Sequence, residues 1–150
     1  AQALTGDKDH LSASDGTGRF ERLTKEGEPL GEPYRLPGSV WDVEGIAARP
    51  DGSLVLTQDD DARVWAVDSA GANLWSIEGF EMSPPMVEPQ GIAYDRRTGA
   101  LFVVDDQEGS NSIFEFAPSG ELLSIVAVFD YLPTLREESE DATSDACLMF

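Results

Sequence analysis

The chain repeats itself, and this repetition limits the possible folds more than any other feature of the sequence. The phrase Gly45-Ile46-Ala47 returns as Gly91-Ile92-Ala93, and Leu54-Val55-Leu56 returns as Leu101-Phe102-Val103. Two further matches follow in the same order, Val64–Val67 with Ile113–Phe116 and Gly71 with Gly120. A shorter copy comes first, because Phe20 leads to Gly27 as Ile113 leads to Gly120. The chain is therefore a tandem array of one structural unit.

Each copy consists of short apolar runs separated by turn residues. The runs favour β-branched and aromatic residues, and pairs such as Asp51-Gly52, Thr98-Gly99 and Ser119-Gly120 supply the glycines of tight hairpins. The sequence predicts strands near 43–48, 53–57, 63–68, 73–77, 90–94, 100–104, 112–117 and 121–128. Four antiparallel strands about every 45 residues are typical of a β-propeller blade. We therefore predict an all-β fold of antiparallel, four-stranded, propeller-type blades.

The first copy is shorter than the other two. Residues 11–15 read as the end of a strand, and we expect the strand before them to be missing. The prediction is then about two and a half repeats, a partial propeller. Residues 1–40 form a partial first blade with a proline-rich connection, 41–80 a second blade, 81–130 a third and 131–150 an acidic tail. An unrelated β-sandwich is the alternative, which the aligned glycines and apolar triplets disfavour.

The repeated phrases resemble those of a known group of propellers. G-I-A, then D-G-S-L-V-L or T-G-A-L-F-V-V-D-D, then I-F-E-F-A-P-S-G-E resemble the NHL, SMP-30/gluconolactonase and SdiA-regulated (phytase-like) proteins, over about residues 11–128. The resemblance implies a closed ring of six or a similar number of blades. Two and a half blades leave at least one apolar face without a neighbour. Either the chain is a piece of a longer protein with further blades, or it completes its fold against a protein partner.

The net charge of the chain limits the classes of partner that it can bind. The sequence has 29 acidic and ten basic residues, and its formal net charge is −19. Such a field repels the phosphates of nucleic acids and favours cations or basic proteins. No apolar run is long enough to predict a transmembrane segment. We expect no nucleic acid partner, and peripheral association with a membrane complex stays open.

Three carboxylates are candidate metal ligands. Glu44 precedes the glycine at the start of a first strand, while Asp59 and Asp105 follow second strands. Calcium takes six to eight oxygen ligands, and the resemblance to SMP-30-like proteins implies a ligand role for Glu44. In the next repeat Gln90 replaces that glutamate. The alternative is that all three are solvated loop carboxylates, so we expect no cofactor, with Ca²⁺ as the rival prediction.

Groups for catalysis are few. The one histidine, His10, has no partner motif, the one cysteine, Cys147, lies in the tail, and no glycine-rich phosphate loop is present. We predict no catalytic residue. The sequence favours a non-catalytic, acidic interaction or assembly subunit of a larger complex. The alternative is a fragment of a Ca²⁺-dependent hydrolase, of lactonase or phytase-like type.

The two termini give clues to location. Cys147-Leu148-Met149-Phe150 matches the C-a-a-X prenylation pattern, but the acidic stretch before it favours a tail that docks on a partner. The chain starts at Ala1, which is consistent with a removed leader or with a fragment. We expect an extracytoplasmic space or an organelle lumen.

Overall fold

The computed structural model describes residues 3–6, 9–36, 41–68, 70–107 and 111–128. These residues form three antiparallel sheets, each of four strands in chain order. Blade 1 contains β1 (Ala3–Gly6), β2 (Leu11–Ser14), β3 (Arg19–Leu23) and β4 (Tyr34–Arg35). Blade 2 contains β5 (Val43–Ala48), β6 (Leu54–Gln58), β7 (Arg63–Val67) and β8 (Asn73–Glu78). Blade 3 contains β9 (Pro89–Tyr94), β10 (Leu101–Asp105), β11 (Ser112–Phe116) and β12 (Leu122–Ala127), after a 3₁₀ turn at Gly79–Glu81.

The predicted fold class is confirmed. The strands of blades 2 and 3 begin and end within two residues of the predicted bounds. The prediction that the first blade lacks its first strand was wrong, because β1 pairs with β2 from Ala3↔Ser14 to Gly6↔Leu11. This strand is only four residues long and carries no β-branched run, so its partner strand rather than its own composition identifies it.

Pairing registers show that the three blades are copies of one another. Leu4 pairs with Ala13, Ile46 with Leu56, and Ile92 with Val103. The hairpins between the third and fourth strands also agree. In each, a glycine with positive φ donates its N–H to a carbonyl three residues earlier, and these glycines are Gly27, Gly71 and Gly120. A side chain is strained at such a φ, which explains why glycine recurs at this position.

The core lies between the blades. First strands β1 and β9 both contact β5, so blade 2 stands between its two neighbours. We call the two interfaces seam 1–2 and seam 2–3. The buried residues of seam 1–2 are Ala3, Phe20, Leu36, Val43, Ile46, Leu54, Leu56 and Val67. Those of seam 2–3 are Ala47, Val55, Val64, Ala66, Met86, Ile92, Leu101, Val103, Phe114 and Phe116.

In the part of the chain that the structure describes, no helix is long and apolar enough to cross a membrane. The acidic tail and its terminal Cys147-Leu148-Met149-Phe150 lie outside the described residues.

Candidate functional site

Carboxylates gather where the first strands begin and the second strands end. The two loops that meet there in each blade are the one before the first strand and the one between the second and third strands. We call the group formed by Asp42, Asp59, Asp60 and Glu88 the acidic end. It lies at the edge of seam 2–3, with the first three residues from blade 2 and the fourth from blade 3.

Backbone geometry fixes the blade 2 part of the acidic end. Asp42 has a φ of +56°, a left-handed conformation that aspartate tolerates better than most residues. The Asp42 carbonyl accepts a hydrogen bond from the Asp59 N–H at 3.4 Å. Its side-chain Oδ2 accepts another from the Asp60 N–H at 3.2 Å. The loop after β6 is therefore tied to the residue before β5, and this holds three carboxylates close together.

Asp105 fixes the blade 3 part. This residue is 2% exposed, and its Oδ1 accepts hydrogen bonds from the N–H groups of Val87 at 3.0 Å and Glu88 at 2.6 Å. Burial raises the pKa of Asp105, although both backbone hydrogen bonds act to lower it. Asp105 therefore anchors the segment before β9 and positions Glu88.

The seam beneath the acidic end is narrow. The Thr57 hydroxyl donates a hydrogen bond to the carbonyl of Gln90 across seam 2–3. Gly45 lies at the same point, where a Cβ atom would collide with the Gln90 carbonyl and stand 2.6 Å from Thr57 Oγ1. Only glycine at this position lets the two blades approach so closely. The recurrent Gly-Ile-Ala phrase thus has a packing role in blade 2.

Asp59 shows the strongest electrostatic effect in the site. Burial, followed by the carboxylates of Asp42, Glu88 and Asp60, raises the pKa of Asp59 to about 6, against an opposing hydrogen bond from Gln90. Each of the charges in that set is negative. An ionised Asp59 is therefore held among groups that repel it, and a proton or a cationic group relieves that repulsion.

The three predicted metal ligands lie at the same end of the blades but differ in environment. Glu44 is half-buried at a bulge in β5, Asp59 faces other carboxylates, and Asp105 is committed to backbone N–H groups. Among the described residues, no three histidine, cysteine, aspartate or glutamate side chains are grouped so that they could hold a metal ion. Calcium binding stays a prediction.

Sequence reasoning missed Asp42, Glu88 and Gln90. Asp42 and Glu88 occupy matching places, because Asp59 N–H donates to the carbonyl of the first and Asp106 N–H to that of the second. The signal was present in the sequence as an acid three residues before the glycine of each Gly-Ile-Ala phrase. The acids after the second strands are more numerous in the sequence, and they obscure this signal.

Comparisons with known proteins support the fold. Neither a protein-family model nor a curated protein sequence matches the chain significantly. Among solved structures, it is similar to a catalytically inactive variant of virginiamycin B lyase from Staphylococcus aureus with quinupristin, with a TM-score of 0.62 and 21% identity over 83% of this chain and 40% of that chain. Hydrazine synthase from Kuenenia stuttgartiensis gives a TM-score of 0.62 with 14% identity, over 84% of this chain and 36% of that chain. A chain of the mitotic checkpoint complex gives a TM-score of 0.60 with 17% identity, over 83% of this chain and 38% of that chain.

These neighbours are β-propeller proteins, and the three sheets of this chain are propeller blades. The chain spans about two fifths of the length of each neighbour. The neighbours include both enzymes and members of complexes. The shared fold therefore does not choose between catalysis and assembly.

Proposed function

We propose that this chain is a non-catalytic interaction module that presents its acidic end to a basic protein partner. The observation that carries the proposal is the crowding at the acidic end, where backbone hydrogen bonds to Asp42 hold the loop of Asp59 and Asp60 in place. Burial and the neighbouring carboxylates raise the pKa of Asp59 to about 6. A lysine or arginine side chain from a partner would neutralise this repulsion. Contacts that relieve an existing repulsion give a larger gain than contacts between already solvated charges.

The overall charge supports the same proposal. At −19 the chain attracts basic proteins over a distance of about one Debye length, and this attraction speeds their association. The acidic end is formed by loops joined to a sheet scaffold through backbone hydrogen bonds. Loops held by a rigid scaffold are where binding groups usually lie.

Binding of a synthetic lysine-rich peptide tests this function. We expect affinity to fall steeply as salt is added, and to fall by about tenfold or more when Asp59→Asn and Glu88→Gln are combined. The matched control combines Glu26→Gln and Glu121→Gln, which remove the same charge from exposed hairpins at the opposite end of the blades. Equal losses in both variants would show that net charge alone attracts the peptide, and the proposal would be wrong.

The second candidate is a fragment of a Ca²⁺-dependent hydrolase related to the NHL, SMP-30 and SdiA-regulated group. The observation in its favour is again the crowding of carboxylates around Asp59. If Glu44, Asp59 and Asp105 bind calcium, micromolar Ca²⁺ raises the melting temperature by mass action and Glu44→Gln abolishes the gain. Under the interaction proposal we expect no such shift.

The proposal includes the compartment in which the protein works. We place the module in an extracytoplasmic space or an organelle lumen, as part of a larger assembly and with peripheral membrane association as one arrangement. Fractionation of cells that produce the full chain tests this. Recovery in the cytosolic fraction would contradict it.

A further inference from the structure

Blade 1 has an apolar face that the described residues leave largely uncovered. The equivalent positions Leu4, Ile46 and Ile92 are 59%, 5% and 8% exposed, respectively. Ile46 lies in seam 1–2 and Ile92 in seam 2–3, where each packs on the preceding blade. Leu4 occupies the same place on the outer side of blade 1. Side chains on one strand face alternate, so Leu11, Ala13 and Leu23 share this face with Leu4.

Blade 3 has the complementary face, which is also only partly covered. In blade 2, this face carries Ala47, Val55 and Val64, which are 3%, 0% and 0% exposed beneath blade 3. The equivalent residues of blade 3 are Ala93, Phe102 and Ile113, and each is half-buried. Ala93 and Phe102 help to line a cavity of about 460 Å³, together with Tyr94, Asp95 and Arg96. The face that receives a neighbour in blade 2 is therefore open in blade 3.

One chain thus has both of the faces that meet when two blades pack together. It already forms two such interfaces, seam 1–2 and seam 2–3. We propose that two copies of this chain associate head to tail, with the uncovered face of blade 1 in one copy packed on the uncovered face of blade 3 in the other. The two-fold arrangement repeats the contact and closes six blades into a ring. Closed arrangements leave no interface unsatisfied, which is why symmetric assemblies favour them. This inference goes beyond the proposed function, because it uses the blade faces and not the acidic end.

Charges on the two faces support the pairing. Glu115 of blade 3 is half-buried at the position that Ala66 occupies, fully buried, in blade 2. The outer face of blade 1 carries Arg19 and Arg35, and also Glu21 at the position that Phe114 occupies in blade 3. The two arginines outweigh the charge of Glu21 on this face. A net positive face therefore meets a negative one. This matters because a buried acid without a cationic partner opposes association.

Sedimentation of the full chain over two decades of protein concentration, at physiological salt, tests the inference. We expect a dimer of twice 16.2 kDa that dissociates on dilution. Leu4→Glu and Ala93→Glu should each weaken the dimer by about tenfold or more, since each places a charge in both copies of the interface. The control Leu74→Glu, at a leucine 51% exposed on β8, should leave the dimer unchanged.

Mixing the two variants separates head-to-tail from head-to-head association. A mixture of Leu4→Glu and Ala93→Glu keeps one unmodified interface, and we expect it to form a one-to-one dimer that neither variant forms alone. A chain that stays monomeric, a dimer lost in only one of the variants, or a ladder of larger species would each overturn the proposal. Circular dichroism checks that each variant folds, and Leu4→Ser and Ile113→Ser replace any variant that does not. Monomeric Leu4→Glu should still bind the lysine-rich peptide, so failure of this inference is distinguishable from failure of the proposed function.

Discussion

Seam 1–2 and seam 2–3 both join neighbouring blades, but the side chains at the two interfaces differ. In seam 1–2 the blades are joined by neutral groups, such as the Ala48 N–H that donates to Thr5 Oγ1 at 3.1 Å. In seam 2–3 the stacked pair Phe114 and Phe116 supplies a larger apolar surface, while Asp59 and its carboxylate neighbours lie at the rim. Strong apolar packing and electrostatic repulsion thus occur in one interface. The apolar packing of seam 2–3 stabilises the interface, so the fold tolerates the repulsion around Asp59 at its rim.

The largest effect is expected from Phe114→Ala. Phe114 is 1% exposed within seam 2–3, and truncating a buried phenylalanine costs about 3–5 kcal/mol in the free energy of unfolding. Because the residue belongs to one seam, amide exchange should accelerate in β10 and β11 more than in β2 and β3. Equal acceleration in both blades would show that the two seams unfold as one unit.

A smaller loss is expected from Gly45→Ala. The added methyl group meets the Gln90 carbonyl and Thr57 Oγ1, so seam 2–3 has to widen, at a cost of about 2–3 kcal/mol. Gly27→Ala is the control, because Gly27 has a φ of +90° and no atom within 4 Å of the added Cβ. Its cost of about 1 kcal/mol is conformational. Chemical denaturation that ranks Gly27→Ala as the more harmful variant would contradict the close approach of blades 2 and 3.

The smallest effect is a gain in stability from Asp59→Asn. The folded-state pKa of about 6 lies above the ordinary aspartate pKa of 3.8, so the fold favours protonated Asp59. This contribution to stability is complete below about pH 4 and is lost as the pH rises through about 6. At about pH 7.5 the variant should be more stable than the wild type by about 1 kcal/mol, after allowing for solvent screening of a partly exposed group.

The advantage of Asp59→Asn should disappear at about pH 4, where the wild-type residue is protonated. Denaturation at both pH values measures it, and Asp60→Asn, at an exposed neighbour in the same loop, is the comparison variant. A gain that does not depend on pH would show that charge repulsion is not its cause.

The repeat pattern predicted most of the fold because it encodes local structure. Alternating apolar residues and hairpin glycines determined the strands of blades 2 and 3, whereas β1 is too short to be recognised without β2. The candidate site was harder to predict because register decides which way a side chain points. The sequence aligned Asp59 with Asp105, but Asp105 pairs with Pro89 as Gln58 pairs with Val43. A shift of one residue turned an expected ligand into a backbone anchor.

Two tryptophans give each seam its own optical reporter. Trp65 packs on the seam 1–2 cluster, where its Nε1–H donates to Gln58 Oε1 at 2.9 Å and the Arg63 guanidinium lies 4.8 Å from its ring centroid. Trp75 packs on the seam 2–3 cluster and lies against the hairpin glycine Gly120. Indole emission shifts to longer wavelength when the ring meets water. The third tryptophan, Trp41, is 44% exposed. When Trp41 is replaced by phenylalanine, a further replacement of Trp65 or Trp75 leaves a single indole, and fluorescence then follows the opening of one seam with no dye attached.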